Sequence, residues 1–158
     1  MSKEDFMNAD LKGRQKVSYL LQMEETDSIV VSMPLEWKYD LQWRHSTGVK
    51  DYIEAKDRCC KSTDYPTAMI NESKWLENKV LGEHFIVVCT YTDGVALFFR
   101  PATMPESGIT IEEKYCKKTT IDPTSHKKRG RKLLLNVNDV YKTVKLPKMY
   151  MYDEQQYN

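Results

Sequence analysis

Three residues in the first half of the chain have the types and spacing for metal-assisted chemistry on a phosphodiester. Asp40 and Glu54 offer hard carboxylate oxygens of the kind that hold Mg²⁺ or Mn²⁺. Lys56, two residues beyond the second acid, offers a cation that orients or helps deprotonate a water and offsets the charge growing on a phosphate. The acid-x-Lys tripeptide alone selects nothing, because copies begin at Asp10, Glu36, Glu54, Glu72, Glu77 and Glu112. Context selects the copy at Glu54, which sits in a strand-like run, follows an aspartate on a neighbouring strand and shares a face with it.

The elements around these residues must bring them together. Between 37 and 44, Trp37, Tyr39, Leu41 and Trp43 alternate with Lys38, Asp40, Gln42 and Arg44, the period-two signature of a half-buried strand. After a turn at His45-Ser46-Thr47-Gly48, a second strand over 50–56 sends Ile53 and Ala55 to one face and Tyr52, Glu54 and Lys56 to the other. A loop over 45–49 pairs Arg44 with Lys50, which sets Asp40 opposite Glu54 and Lys38 opposite Lys56, with Cβ atoms about 4.5–5.5 Å apart. A slip of one residue would turn the aromatic set to the wrong face. Trp37, Trp43 and Trp75 are accordingly expected in the core.

Elsewhere, Ser2 is a cap for a first helical turn and Asp10 for a helix carrying Val17, Leu20 and Leu21, with Gly13 a weak point; together they predict a helix over 3–25. A strand over 28–33 stops at Pro34. Pro66 in a first turn, a stripe of Met69, Leu76 and Val80, and Gly82 as a stop predict a second helix over 65–81. Two apolar runs, 84–91 and 95–100, flank Thr92-Asp93-Gly94 and read as a hairpin. Beyond Pro101 the expectations are strands at 109–116 and 132–137, a helical turn capped by Asn138, and a flexible tail over 147–158.

Tyr39-Asp40-Leu41, a turn, then Tyr52-Ile53-Glu54-Ala55-Lys56-Asp57-Arg58 resembles the core motif of the PD-(D/E)xK nuclease superfamily. The element order also resembles that family's restriction-endonuclease-like core over about residues 3–100. The resemblance implies an α/β fold of order α-β-β-β-α-β-β, a mixed central sheet flanked by helices, in one nuclease-like domain over 1–146. It implies a metal-dependent deoxyribonuclease in which Asp40 and Glu54 bind Mg²⁺ or Mn²⁺ and Lys56 is catalytic, acting on DNA in bacterial or phage processing, recombination or repair. Two features depart from the family pattern: Tyr39 stands where proline is usual, and no acid sits midway along the first helix, where Gln15 or Glu24 would have to serve. Lys74, or Glu72, on the second helix is a further accessory candidate. Inactive relatives share such folds, so a catalytically silent nucleic-acid-binding or assembly module is the alternative.

Composition bounds these readings. With 158 residues, 30% charged and 41% hydrophobic, the chain is too apolar for disorder and too charged for a membrane protein. No apolar run exceeds five residues, and the N-terminus lacks a signal-peptide pattern, so a cytoplasmic location in a bacterial or phage-infected cell is expected. Four cysteines at 59, 60, 89 and 116 follow neither disulfide nor zinc spacing, although Lys56 and Arg58 beside Cys59-Cys60 are placed to lower a thiol pKa. His45, His84 and His126 are too scattered to be ligands. The net charge of +1 conceals a basic block over 114–132 with eight Lys or Arg against one acid, Asp122. Lys127, Lys128, Arg129 and Arg131 in this block, with Arg58 near the acids, are the candidate phosphate contacts. Oligomeric state is left open, a homodimer among the alternatives.

Overall fold

A computed structural model of the protein describes residues 2–117 and 127–148. Helix α1 (Lys3–Glu24) starts at a capping box, in which Ser2 Oγ accepts from the Asp5 amide and the Asp5 carboxylate accepts from the Ser2 amide. Such reciprocal bonds, worth about 1 kcal/mol, fix where the helix begins. Strands β1 (Ile29–Ser32), β2 (Leu41–Arg44) and β3 (Lys50–Asp57) follow as an antiparallel meander. The next segment holds β4 (Thr67–Asn71), a short helix α2 (Glu72–Asn78) and a 3₁₀ segment (Lys79–His84). Strand β5 (Phe85–Thr90) then pairs parallel with β3, and β6 (Val95–Phe99) turns back upon it. The chain continues through β7 (Ile109–Lys117), β8 (Lys127–Asn136) and β9 (Lys142–Lys145).

These strands form a six-stranded mixed sheet of order β1-β2-β3-β5-β6-β9 and a separate three-stranded sheet of order β4-β8-β7. On one face of the larger sheet, Val17, Leu20 and Leu21 of α1 pack against Trp43, Ile53 and Val88. On the other face, Phe85, Val87 and Phe99 pack against Ile70, Leu133 and Leu135 of the smaller sheet. Each fully buried aliphatic or aromatic side chain contributes roughly 1.5–3 kcal/mol. Coverage of both faces explains why β5, Phe-Ile-Val-Val-Cys-Thr, is buried at every position.

The mixed sheet and the opening helix agree with the sequence reading, and so does the β2–β3 register, with Arg44 opposite Lys50. Several expectations need correction. The helix expected over 65–81 is instead a strand, a two-turn helix and a 3₁₀ segment, with Val80 89% exposed. The second face of the main sheet is covered chiefly by another sheet rather than by a helix. Strand β2 begins at Leu41, so Trp37 lies outside it and is 46% exposed. The turn after β8 is capped by the Asn136 side chain rather than by Asn138, and β9 was not anticipated. The expected tail over 147–158 falls mostly outside the described residues.

Gly13 is a point of close approach between α1 and the sheet. A Cβ there would stand 3.1 Å from Asp57 Cβ, so the helix rests directly on β3. At the other end of the helix, the His45 ring donates to Glu25 Oε2 through Nδ1 and to Asp51 Oδ2 through Nε2, and His84 Nδ1 donates to Asp51 Oδ1. Ionised carboxylates only accept, so His45 holding one at each nitrogen is an imidazolium. Burial pulls its pKa down, but the bonds to Glu25 and Asp51 and their charges outweigh that pull, and the net shift is upward. A raised folded-state pKa adds stability that is present below the ordinary histidine value near 6.5 and is lost as pH rises through the folded value. The melting-temperature gap between wild type and His45→Gln is therefore expected to be widest near pH 6 and to narrow by pH 9. A gap that widens with pH would contradict this assignment.

Candidate active site

Strand β3 runs beyond the start of β2, so its last residues lack a β2 partner. Asp40 takes that place with its side chain. The Asp40 amide donates to the Ile53 carbonyl at 2.8 Å, and Asp40 Oδ2 accepts the Ala55 amide at 2.8 Å, so its carboxylate is held beside the residues that flank Glu54. Arg14 of α1 secures it from the helix side, with Nη2 3.1 Å from Asp40 Oδ1 and Nη1 bonded to the Asp40, Met33 and Ser32 oxygens. Its Nε is 2.9 Å from Asp10.

Glu54 projects from the opposite side of β3 to Ile53 and Ala55 and is 1% exposed. Lys56 Nζ lies 3.3 Å from its Oε1 and Lys74 Nζ 3.9 Å from its Oε2. Oε2 is buried and has no hydrogen-bond partner. Burial raises the Glu54 pKa, Lys56 opposes that rise and Asp40 adds to it, leaving the carboxyl pushed up to about 7. A carboxylate that desolvation makes costly and that retains a free oxygen is poised for a cation or a proton.

The donor set fits a hard divalent cation. Glu54 Oε2 is an unclaimed acceptor, and each Asp40 oxygen has accepted one of the hydrogen bonds described, leaving lone-pair capacity. Among the described residues no three His, Cys, Asp or Glu side chains gather into a cage. Mg²⁺ requires none, being held in many sites by one or two carboxylates with water and substrate phosphate completing the shell.

The structure thus brings together Asp40, Glu54, Lys56 and Lys74. The other candidates lie elsewhere. Gln15 is exposed, and the helix instead turns Arg14 and Lys16 inward. Lys16 Nζ holds Asp57 at 2.9 and 3.1 Å, and Asp57 also accepts from Thr90 Oγ1. Arg58 donates to the Met69 carbonyl and lines a separate cavity of about 320 Å³ with Cys60, Tyr65 and Tyr91. Lys127, Lys128, Arg129 and Arg131 lie on β8, paired with Lys117, Cys116, Tyr115 and Glu113 of β7. Arg131 Nε is also 3.2 Å from Glu72 on α2, two residues before Lys74. At Cys60, burial, reinforced by Asp64, raises the thiol pKa rather than lowering it. Sequence reasoning missed Arg14 and Lys16, although their three-to-four spacing with Val17, Leu20 and Leu21 places them on the buried stripe of α1.

No protein-family model, curated protein or solved structure matches the chain. Among the described residues no helix is long and apolar enough to cross a membrane.

Proposed function

We propose that the protein is a Mg²⁺- or Mn²⁺-dependent deoxyribonuclease that hydrolyses phosphodiester bonds at Asp40, Glu54 and Lys56. The observation that carries this reading is the buried, unpartnered Glu54 Oε2 between Lys56 and Lys74, beside the carboxylate of Asp40. A bound ion would polarise a phosphate oxygen and make a bound water more acidic. Asp40 and Glu54 would hold that ion. Lys56, partly exposed, reaches solvent from the same carboxylate and is placed to orient the attacking water and offset charge on the phosphate. Lys74 offers a second cation at the opposite oxygen, suited to holding the phosphate in position. The test is cleavage of labelled single- and double-stranded DNA with Mn²⁺, with Mg²⁺ and with chelator. Cleavage that appears only with metal supports the assignment; no cleavage under any condition overturns it.

A second reading, a silent nucleic-acid-binding or assembly module, is favoured by the engagement of both Asp40 oxygens with Arg14 and the Ala55 amide. Salt-dependent DNA binding without turnover would distinguish it.

In both readings the β7–β8 ribbon is the surface for phosphate. Arg131 is answered by Glu72, and the contribution of the ribbon to phosphate neutralisation is tested at Lys127, Lys128 and Arg129. Changing these three to Gln is expected to reduce the slope of log K against log salt by roughly 2–3, since each phosphate contact contributes about 0.7–0.9. Fluorescence-anisotropy titrations at several salt concentrations measure this directly, and an unchanged slope would remove the ribbon from the interface.

A further inference from the structure

Beside the acids lies a groove of about 210 Å³ whose lining includes Trp37, Lys38, Tyr39, Tyr52, Glu77 and Asn78. The sequence pattern assigns Trp37 to the core, yet nearly half its surface meets solvent. Tyr39 and Tyr52 meet edge to face, ring centroids 4.8 Å apart. Tyr52 stands two residues before Glu54 on the same face of β3, so these rings adjoin the candidate catalytic acid. Asn78 is fully buried in the groove lining; its Nδ2 donates to the Lys38 and Lys74 carbonyls, while its Oδ1 has no partner. Lys74 joins the two places, donating to the Trp37 carbonyl at 3.2 Å and lying 3.9 Å from Glu54 Oε2.

We propose that this groove holds an unpaired nucleobase of the DNA strand whose phosphate lies at Glu54, Lys56 and Lys74. The inference rests on the nuclease reading for the position of the strand and adds the class of substrate: single-stranded DNA, or a duplex carrying an unpaired base. Three properties of the groove match that occupant. The exposed Trp37 ring, with the half-buried Tyr39 and Tyr52 rings beside it, provides a stacking surface that tolerates any base, because every base presents a π face. Lys38 and Lys74 provide positive charge for the attached backbone, against a single acid in the lining, Glu77. The unpartnered Asn78 oxygen is closed to solvent in the free protein, and a base N–H that reached it through the lining would relieve a buried unsatisfied group. A base within an intact duplex is stacked on its neighbours and reaches such a groove only by leaving the stack.

The experiment uses the whole chain in chelator, so that nothing is cleaved, with an aminopurine-labelled single-stranded oligonucleotide and the same sequence as a blunt duplex. Aminopurine fluorescence is expected to be quenched when the single strand binds wild type. Trp37→Ala is expected to weaken single-strand binding roughly 10-fold or more, in line with the loss of one base–aromatic stack. Blunt-duplex binding is expected to change less than about twofold, while Trp37→Phe restores most of the single-strand affinity. Melting temperatures of both variants should stay within a few degrees of wild type, because nearly half of Trp37 meets solvent and the residue lies outside the two core clusters. Equal losses on both probes, or no loss on either, would overturn the inference. Cleavage with Mn²⁺ is scored separately: a wild type that cleaves while Trp37→Ala binds normally removes the base site and leaves the hydrolase. A wild type that stacks the base through Trp37 but never cleaves removes the hydrolase and leaves the base site.

Discussion

Glu54→Gln and Lys56→Ala are each expected to reduce metal-dependent DNA cleavage by roughly 10²- to 10³-fold or more, in proteins that remain folded. The two losses should differ in kind. Glutamine removes the negative charge beside the unpartnered oxygen, so both ion binding and turnover should fall. Alanine at 56 removes a cation 3.3 Å from Glu54 and leaves both carboxylates, so Mn²⁺ affinity should stay close to wild type while single-turnover cleavage slows. Neither change opens a cavity in the hydrophobic core. Because burial already pushes the Glu54 carboxyl up to about 7, Glu54→Gln should be at least as stable as wild type in chelator at pH 8, where the charged form is penalised. Glu36→Gln, which alters an acid-x-Lys copy outside the site and the groove, is the control and should keep cleavage activity. Equal cleavage rates for wild type and Glu54→Gln would remove the site assignment.

Arg14→Ala should be among the most damaging single substitutions for stability. Arg14 is 3% exposed, pairs with Asp10 within α1 and ties the helix to Ser32, Met33 and Asp40. Removing one partner of a buried pair leaves the other charge uncompensated, at about 3–5 kcal/mol. In a chain of this size each kcal/mol shifts the melting temperature by about 2–4 °C, so a fall on the order of 10 °C is expected. Adding Asp40→Asn to Arg14→Ala should recover part of the loss, because the stranded carboxylate is then neutral. Urea unfolding of the single and double variants measures both quantities. A single-variant loss below about 1 kcal/mol would show that Asp40 does not depend on this arginine.

The parts of this arrangement legible in the sequence were those fixed by local rules. Ser2 as a cap and the apolar spacing of Val17, Leu20 and Leu21 defined α1, and a five-residue loop with strict alternation defined the pairing of Arg44 with Lys50. Elements fixed by distant partners were not legible. Thr67–Asn71 becomes β4 because it pairs with Lys132–Asn136, more than sixty residues later, while Met69, Leu76 and Val80 happen to follow a helical spacing. Trp37 misled for a related reason: alternation persists through 37–40, but the regular ladder with β3 begins only at Leu41, and alternation reports which way side chains point rather than whether a partner strand is present. Within the site, Asp40, Glu54 and Lys56 could be named from spacing. Arg14 could not be expected from a search for a third acid, because the helix supplies cations where another ligand was sought.

A residue with no side chain sets the charge that the acids experience. Gly13 is disfavoured within a helix by roughly 0.5–1 kcal/mol relative to alanine, yet it lets α1 settle where a methyl group would press on Asp57. Asp57 has little room to yield, being gripped by Lys16 and Thr90. At that helix height Arg14 reaches Asp40 and Lys16 reaches Asp57. The height of a helix above a sheet, a purely steric quantity, thereby becomes a setting of local electrostatic potential: lifting α1 by a few tenths of an ångström would loosen both cations together. Electrostatic tuning of this site is therefore open to change at a position that carries no charge of its own.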